Sequence, residues 1–241
     1  MDLTDTLHPS SALVVLMVAG ASWVWARWRV GADRRRRLRA AAWIASVFLF
    51  LVAMVGPLDW LGERRLISAH MVQHLLLFSA VPGLIVFAWP AIGSRVKVSA
   101  TGAAGCLMAG VGTIWLLHLP AVLEAGLSSP WLHELQHVML VAAGLLLVLP
   151  LTSAGSALGF AAAFYLVAAE LAIGALGVLL AWSPELLYST YADAPRTWGL
   201  SVETDQALAG ALLLVVEEPF LAVEFAAVFI AALGSQDADG G

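Results

Sequence analysis

Apolar residues in this chain neither alternate nor recur at one face of a helix; they fill long, nearly unbroken runs separated by short polar stretches. Seven runs stand out, at 11–28, 40–55, 66–89, 101–119, 132–151, 157–182 and 205–233. Crossing a hydrocarbon core roughly 30 Å thick takes about 20 apolar residues in a helix, and these runs approach or exceed that length. The connections, at 29–39, 56–65, 90–99, 120–130, 152–156 and 183–204, hold the turn-forming and charged residues. Backbone amides cannot go unpaired in lipid, and the runs are too long and too uniformly apolar for barrel strands. The pattern predicts an all-α polytopic membrane protein of about seven transmembrane helices. It forms one helical-bundle domain over residues 1–241, with a short polar tail at 235–241.

Composition agrees: 61% of residues are hydrophobic and 12% charged, against about 25% charged in a soluble domain, and the mean hydropathy is +0.89. No separate soluble domain fits, and nothing suggests a nucleic-acid partner. The placement of charge says more than the net value of −5. Arg27, Arg29, Arg34, Arg35, Arg36, Arg37 and Arg39 flank the first connection and Arg95 and Lys97 lie in the third, making nine of the twelve basic residues. Basic loops stay cytoplasmic, so seven spans predict an outer N-terminus and a cytoplasmic C-terminus. Asp2 and Asp5 stand where a cleavable signal would carry basic residues, so the first run is read as a retained span. The lone Cys106 excludes an internal disulfide or a Cys-x-x-Cys motif.

On this topology all six histidines fall near the outer face. His8 precedes span one, His70 and His74 open span three, His118 closes span four, and His133 and His137 open span five. HMVQH and HELQH each carry two imidazoles at i, i+4, one turn apart on one helical face. If spans three and five are neighbours, four rings converge. Neutral imidazole suits copper, zinc, iron or nickel, and thioether sulfur from Met71, Met139 or Met54 would favour cuprous copper. Asp59 and Glu134 are the nearest carboxylates able to orient a ring. A calcium or magnesium site would require several oxygen ligands. A lone interfacial histidine is ordinarily a wet polar side chain, the plain reading of His8 or His118 alone, and methionines in spans ordinarily pack. Paired ionisable residues at one depth point to function.

Other features fit less tightly. Glu170 lies mid-span, and Glu217 and Glu218 precede Pro219, which should kink helix seven by freeing the Val215 carbonyl. The sixth connection, with Tyr188, Tyr191 and Trp198, is read either as a cap over the histidines, with Asp205 and Gln206 opening helix seven, or as an aromatic belt. Gly102 to Cys106, Gly110 to Gly112 and Gly174 to Gly177 allow close helix contact, within the chain or in a homo-oligomer. Besides a copper site, the histidines suit haem b in an electron-transfer protein, or, with Glu170 and Glu217, a transporter relay.

The segments SAHMVQHLLLFSAVPGLIVFAWP (68–90), HLPAVLEAGLSSPWLHELQHVMLVAAGLLLVLPL (118–151) and LLYSTYADAPRTWGLSVETDQALAGAL (186–212) together resemble the CtaG family of cytochrome c oxidase assembly factors, the type associated with caa-type oxidases. His8-Pro9 and Gly56-Pro57-Leu58-Asp59 match that pattern too; Val215-Val216-Glu217-Glu218-Pro219 departs from it. The resemblance implies a seven-helix bacterial plasma (inner) membrane protein, not an enzyme, that handles copper for apo-oxidase subunits. It carries the family's histidine pattern onto His8, His70, His74, His118, His133 and His137.

Overall fold

A computed structural model describes residues 17–25, 33–90, 92, 97–152 and 161–216, and among them there is no strand. Helix α1 covers residues 17–25, α2 Arg34–Met54, α3 Pro57–Arg64, α4 Ile67–Ala88, α5 Ala100–Leu117, α6 Pro120–Ser128, α7 Pro130–Thr152, α8 Ala161–Trp182 and α9 residues 202–216. Five of these, α2, α4, α5, α7 and α8, are long and apolar enough to span a membrane. The first and seventh expected spans are helical over 17–25 and 202–216. The rest of those two spans, with His8, Glu217, Glu218 and Pro219, lies outside the described residues.

Local chemistry fixes where the helices start. Asp33 accepts the Arg35 N–H at 3.2 Å, Ser99 Oγ the Gly102 N–H at 3.1 Å and Ser201 Oγ the Thr204 N–H at 3.2 Å, each satisfying an otherwise orphaned first-turn donor. Proline opens α3, α6 and α7, where its fixed φ suits the first helical position. The sequence pattern reads 56–65 and 120–130 as plain connections. They fold instead into the short helices α3 and α6, whose proline starts nucleate a turn even without a long apolar run. Gly56, at φ 106°, makes the sharp turn into α3, a conformation glycine adopts without strain.

Helix α4 is interrupted by a π-turn at Leu76–Ala80, where the Val81 N–H reaches the Leu76 carbonyl. Pro82, one residue on, has no N–H to return to the Phe78 carbonyl, which loosens the α-helical ladder at this point. Ser46 Oγ of α2 donates to the Val81 carbonyl at 3.4 Å. The helices alternate in direction, so the ends of α2 and α5 and the starts of α4, α7 and α9 share one end of the bundle. Arg34–Arg39 and Lys97 lie at the other. Ile67, Met71, Phe78, Ile114, Leu140 and Leu147 form the shared core. Large apolar side chains also face outward along the spans, Met108 at 73% and Phe164 at 78% exposure, as lipid contact requires. Trp131, Trp182 and Trp198 are similarly exposed, at the end that holds the histidines.

Candidate metal centre

The i, i+4 spacing stacks His70 and His74 on one face of α4, with ring centroids 4.2 Å apart, and His133 and His137 on one face of α7 at the same separation. The two faces meet: His70 lies 5.4 Å from His133 and His74 lies 5.8 Å from His137. His118, capping the C-terminus of α5, adds a fifth ring 5.1 Å from that of His74. All five are at most 4% exposed. Five of the six sequence-predicted histidines therefore meet at one place.

The bonds around these rings decide what they can hold. His118 Nδ1 lies 2.7 Å from the Ile114 carbonyl oxygen, which can only accept, so Nδ1 carries the proton and, in the neutral ring, Nε2 carries a lone pair. That Nε2 is 3.3 Å from His74 Nδ1. Two nitrogens each about 2.0 Å from a tetrahedrally coordinated ion stand about 3.3 Å apart, so the separation suits a shared ion. Among the described residues no hydrogen-bond partner reaches either ring nitrogen of His137 or Nε2 of His74, and His70 has the Gly62 backbone beside its ring. Buried polar atoms are normally satisfied, because leaving one unpaired costs about 1–3 kcal/mol; a metal ion would satisfy several at once.

Carboxylates border one side of the rings. His133 Nε2 is 3.4 Å from Glu63 Oε1, and donor atoms of Asp59, Glu63 and His133 all lie within 4.8 Å of one another. Gln73, fully buried beside His74, donates from Nε2 to Asp59 Oδ1 and to the Ala53 carbonyl, both at 2.8 Å. Burial, and then the nearby Glu63 carboxylate, push the Asp59 carboxyl up to about 7, opposed by the Gln73 hydrogen bond. Asp59 is singled out in the sequence; Glu63 and Gln73 are not. Their signals are present in the Asp59–Glu63 spacing of i, i+4 just after Gly56-Pro57, and in the glutamine inside HMVQH.

The connection 183–201 covers this end of the bundle, as the cap reading expects. Tyr188 donates its O–H to the His118 carbonyl at 3.0 Å, and Tyr191 donates to the Gly62 carbonyl. Both rings are buried, and burial holds both phenols protonated well past their ordinary range. Glu124 of α6 accepts from Ser189 Oγ at 2.7 Å and Thr190 N at 3.2 Å. Gln206 accepts the Leu187 N–H at 2.7 Å and donates to the Glu185 carbonyl at 3.0 Å. The buried Asp205 carboxylate accepts the Ile67 N–H at 2.6 Å and the Ser68 N–H at 3.2 Å, together with the Ser68 hydroxyl. It thereby caps the helix that carries His70 and His74 from 137 residues away. Trp198 lies on the surface, 77% exposed.

The remaining candidates sit elsewhere. Met54 and Met71 belong to the apolar core and Met139 packs against it. On an ideal helix Met139 points roughly 120° away from His133 and roughly 160° away from His137, which favours packing over ligation. Cys106 is half-buried on α5, three turns before His118. Glu170 lines a shallow groove with Gly174, Val178 and Leu213, apart from the histidines. Against known proteins, the family model described as cytochrome c oxidase caa3 assembly factor matches residues 20–235. No match was found among curated proteins or among solved structures.

Proposed function

The chain belongs to the cytochrome c oxidase caa3 assembly factor family, and from that premise we propose that it works in the bacterial plasma membrane as a copper donor, holding the ion among His70, His74, His118, His133 and His137 and passing it to an apo-oxidase subunit. The carrying observation is the meeting of five buried imidazoles from three helices, with His74 Nδ1 and His118 Nε2 3.3 Å apart. Copper is the cargo in this reading: imidazole suits it, and the single positive charge of the cuprous state costs less to bury than two. The Met71 sulfur stands as an auxiliary ligand, whereas Met139 packs against the core and His8 lies outside the described residues.

Delivery requires exchange of ligands rather than catalysis, so the protein is not an enzyme. With more imidazoles than an ion can use at once, an incoming donor replaces one while others keep hold. In this reading the basic residues at 27–39 and 95–97 keep to the cytoplasm by the positive-inside rule, which turns the histidine end outward. Haem b is the alternative: it would take one ring from each helix, His70 with His133 or His74 with His137, whose centroids stand 5.4 and 5.8 Å apart.

The test is cuprous stoichiometry on detergent-purified protein. The His70→Ala, His137→Ala double variant should lose the bound ion. Unchanged stoichiometry would overturn the proposal, and a reducible Soret band in wild-type protein would favour haem.

A further inference from the structure

Beside the imidazole set lies a second group of ligands with different chemistry. Asp59 and Glu63 sit one turn apart on α3 and turn their carboxylates toward His133 of α7, all donor atoms lying within 4.8 Å. We infer that Asp59, Glu63 and His133 form a separate site for a divalent first-row transition ion at the edge of the histidine group. The inference does not require that the inner rings hold copper, because its two carboxylates are its own and only His133 is shared.

Three observations carry it. The first is the donor set: two carboxylates and one imidazole suit a borderline divalent ion such as Zn2+, whereas a cuprous ion prefers nitrogen and sulfur, and calcium or magnesium would want more oxygens. The second is Gln73, whose amide is fully buried and anchors Asp59 through Nε2 at 2.8 Å. Among the described residues the Oε1 atom of the same amide has no hydrogen-bond partner, leaving a buried oxygen on the amide that holds Asp59 for an ion or its bound water to satisfy. The third is the crowding of like groups: carboxylate oxygens of Asp59 and Glu63 lie within 4.8 Å of one another and of a His133 ring nitrogen. A cation between Asp59 and Glu63 would relieve this repulsion. Exposure also falls in order from Glu63 at 23% to His133 at 3% and His70 at 0%, so the carboxylate site stands nearer water than the rings behind it.

His133 belongs to both groups, so the test uses variants that spare it. Full-length protein carrying His74→Ala and His137→Ala, in detergent, should retain one Zn2+ by equilibrium dialysis and elemental analysis. Adding Asp59→Asn and Glu63→Gln should abolish that equivalent or weaken its affinity at least 100-fold; asparagine keeps the oxygen that Gln73 donates to. Zn2+ binding unchanged within twofold would overturn the site. Should the combined variant fail to fold, pulsed EPR of the His74→Ala, His137→Ala protein loaded with one Cu2+ decides the matter. Coupling to a single imidazole supports the site, and coupling to two or more overturns it. If His74→Ala, His137→Ala leaves cuprous binding intact, the copper proposal falls while this inference still rests on the carboxylate variants.

Discussion

A buried polar atom has few ways to be satisfied, and Asp205 shows how one side chain can meet several needs. Its carboxylate accepts the Ile67 and Ser68 N–H groups, the first donors of α4, at a place where Leu66 as the N-cap supplies no side-chain bond. A negative charge there also complements the positive end of the helix dipole. Asp205→Ala should destabilise the protein by about 2 kcal/mol, read as a lowered midpoint in detergent unfolding. It should also loosen His70 and His74 and so weaken metal binding, whereas Asp205→Asn should cost about half as much. At this scale the sequence is partly legible. The histidine pairs stand out because i, i+4 spacing is a local rule, and Asp205 with Gln206 can be seen to open a helix. That Asp205 caps a different helix cannot be seen, since the bond joins residues 137 apart.

Between elements, contact distance is set by which residue lacks a side chain. Helix α7 approaches the π-turn of α4 so closely that a Cβ on Gly144 would lie 1.8 Å from the Phe78 carbonyl oxygen. That backbone cannot yield, so Gly144→Ala should cost on the order of 3 kcal/mol or more and part the two histidine-bearing helices. Gly112 has nothing within 4 Å of such a Cβ, so Gly112→Ala should be neutral or stabilising by up to about 1 kcal/mol. Comparing the two by thermal unfolding separates contact from propensity, and equal losses would argue against this packing. Spans two to six are legible because long apolar runs have no other stable form in lipid. Helices α3 and α6 are not, being only 8 and 9 residues long and mixed in polarity. The π-turn is hidden too, although Pro82 marks the spot where the ladder loses a donor.

For the molecule as a whole, the division of charge between its two ends is the property most open to direct test. In a chain with Cys106→Ser, a cysteine at Trp198 should react with a membrane-impermeant maleimide on intact cells, and one at Lys97 only after lysis. The opposite pattern would reverse the topology and with it the outward-facing metal site. The expected topology rests on charge asymmetry, which acts along the chain and is written in the sequence, but the convergence of α4, α5 and α7 depends on packing that no single segment records. The exposed tryptophans at the histidine end add a further constraint. An indole settles at headgroup level, amphipathic and reluctant to leave it, and Trp131 precedes His133 by only two residues, an axial rise of about 3 Å. An indole held at that level would act as a float that sets how deep the imidazoles ride, and a thicker or thinner bilayer should raise or lower them together with it. Fluorescence quenching by brominated lipids would read that waterline.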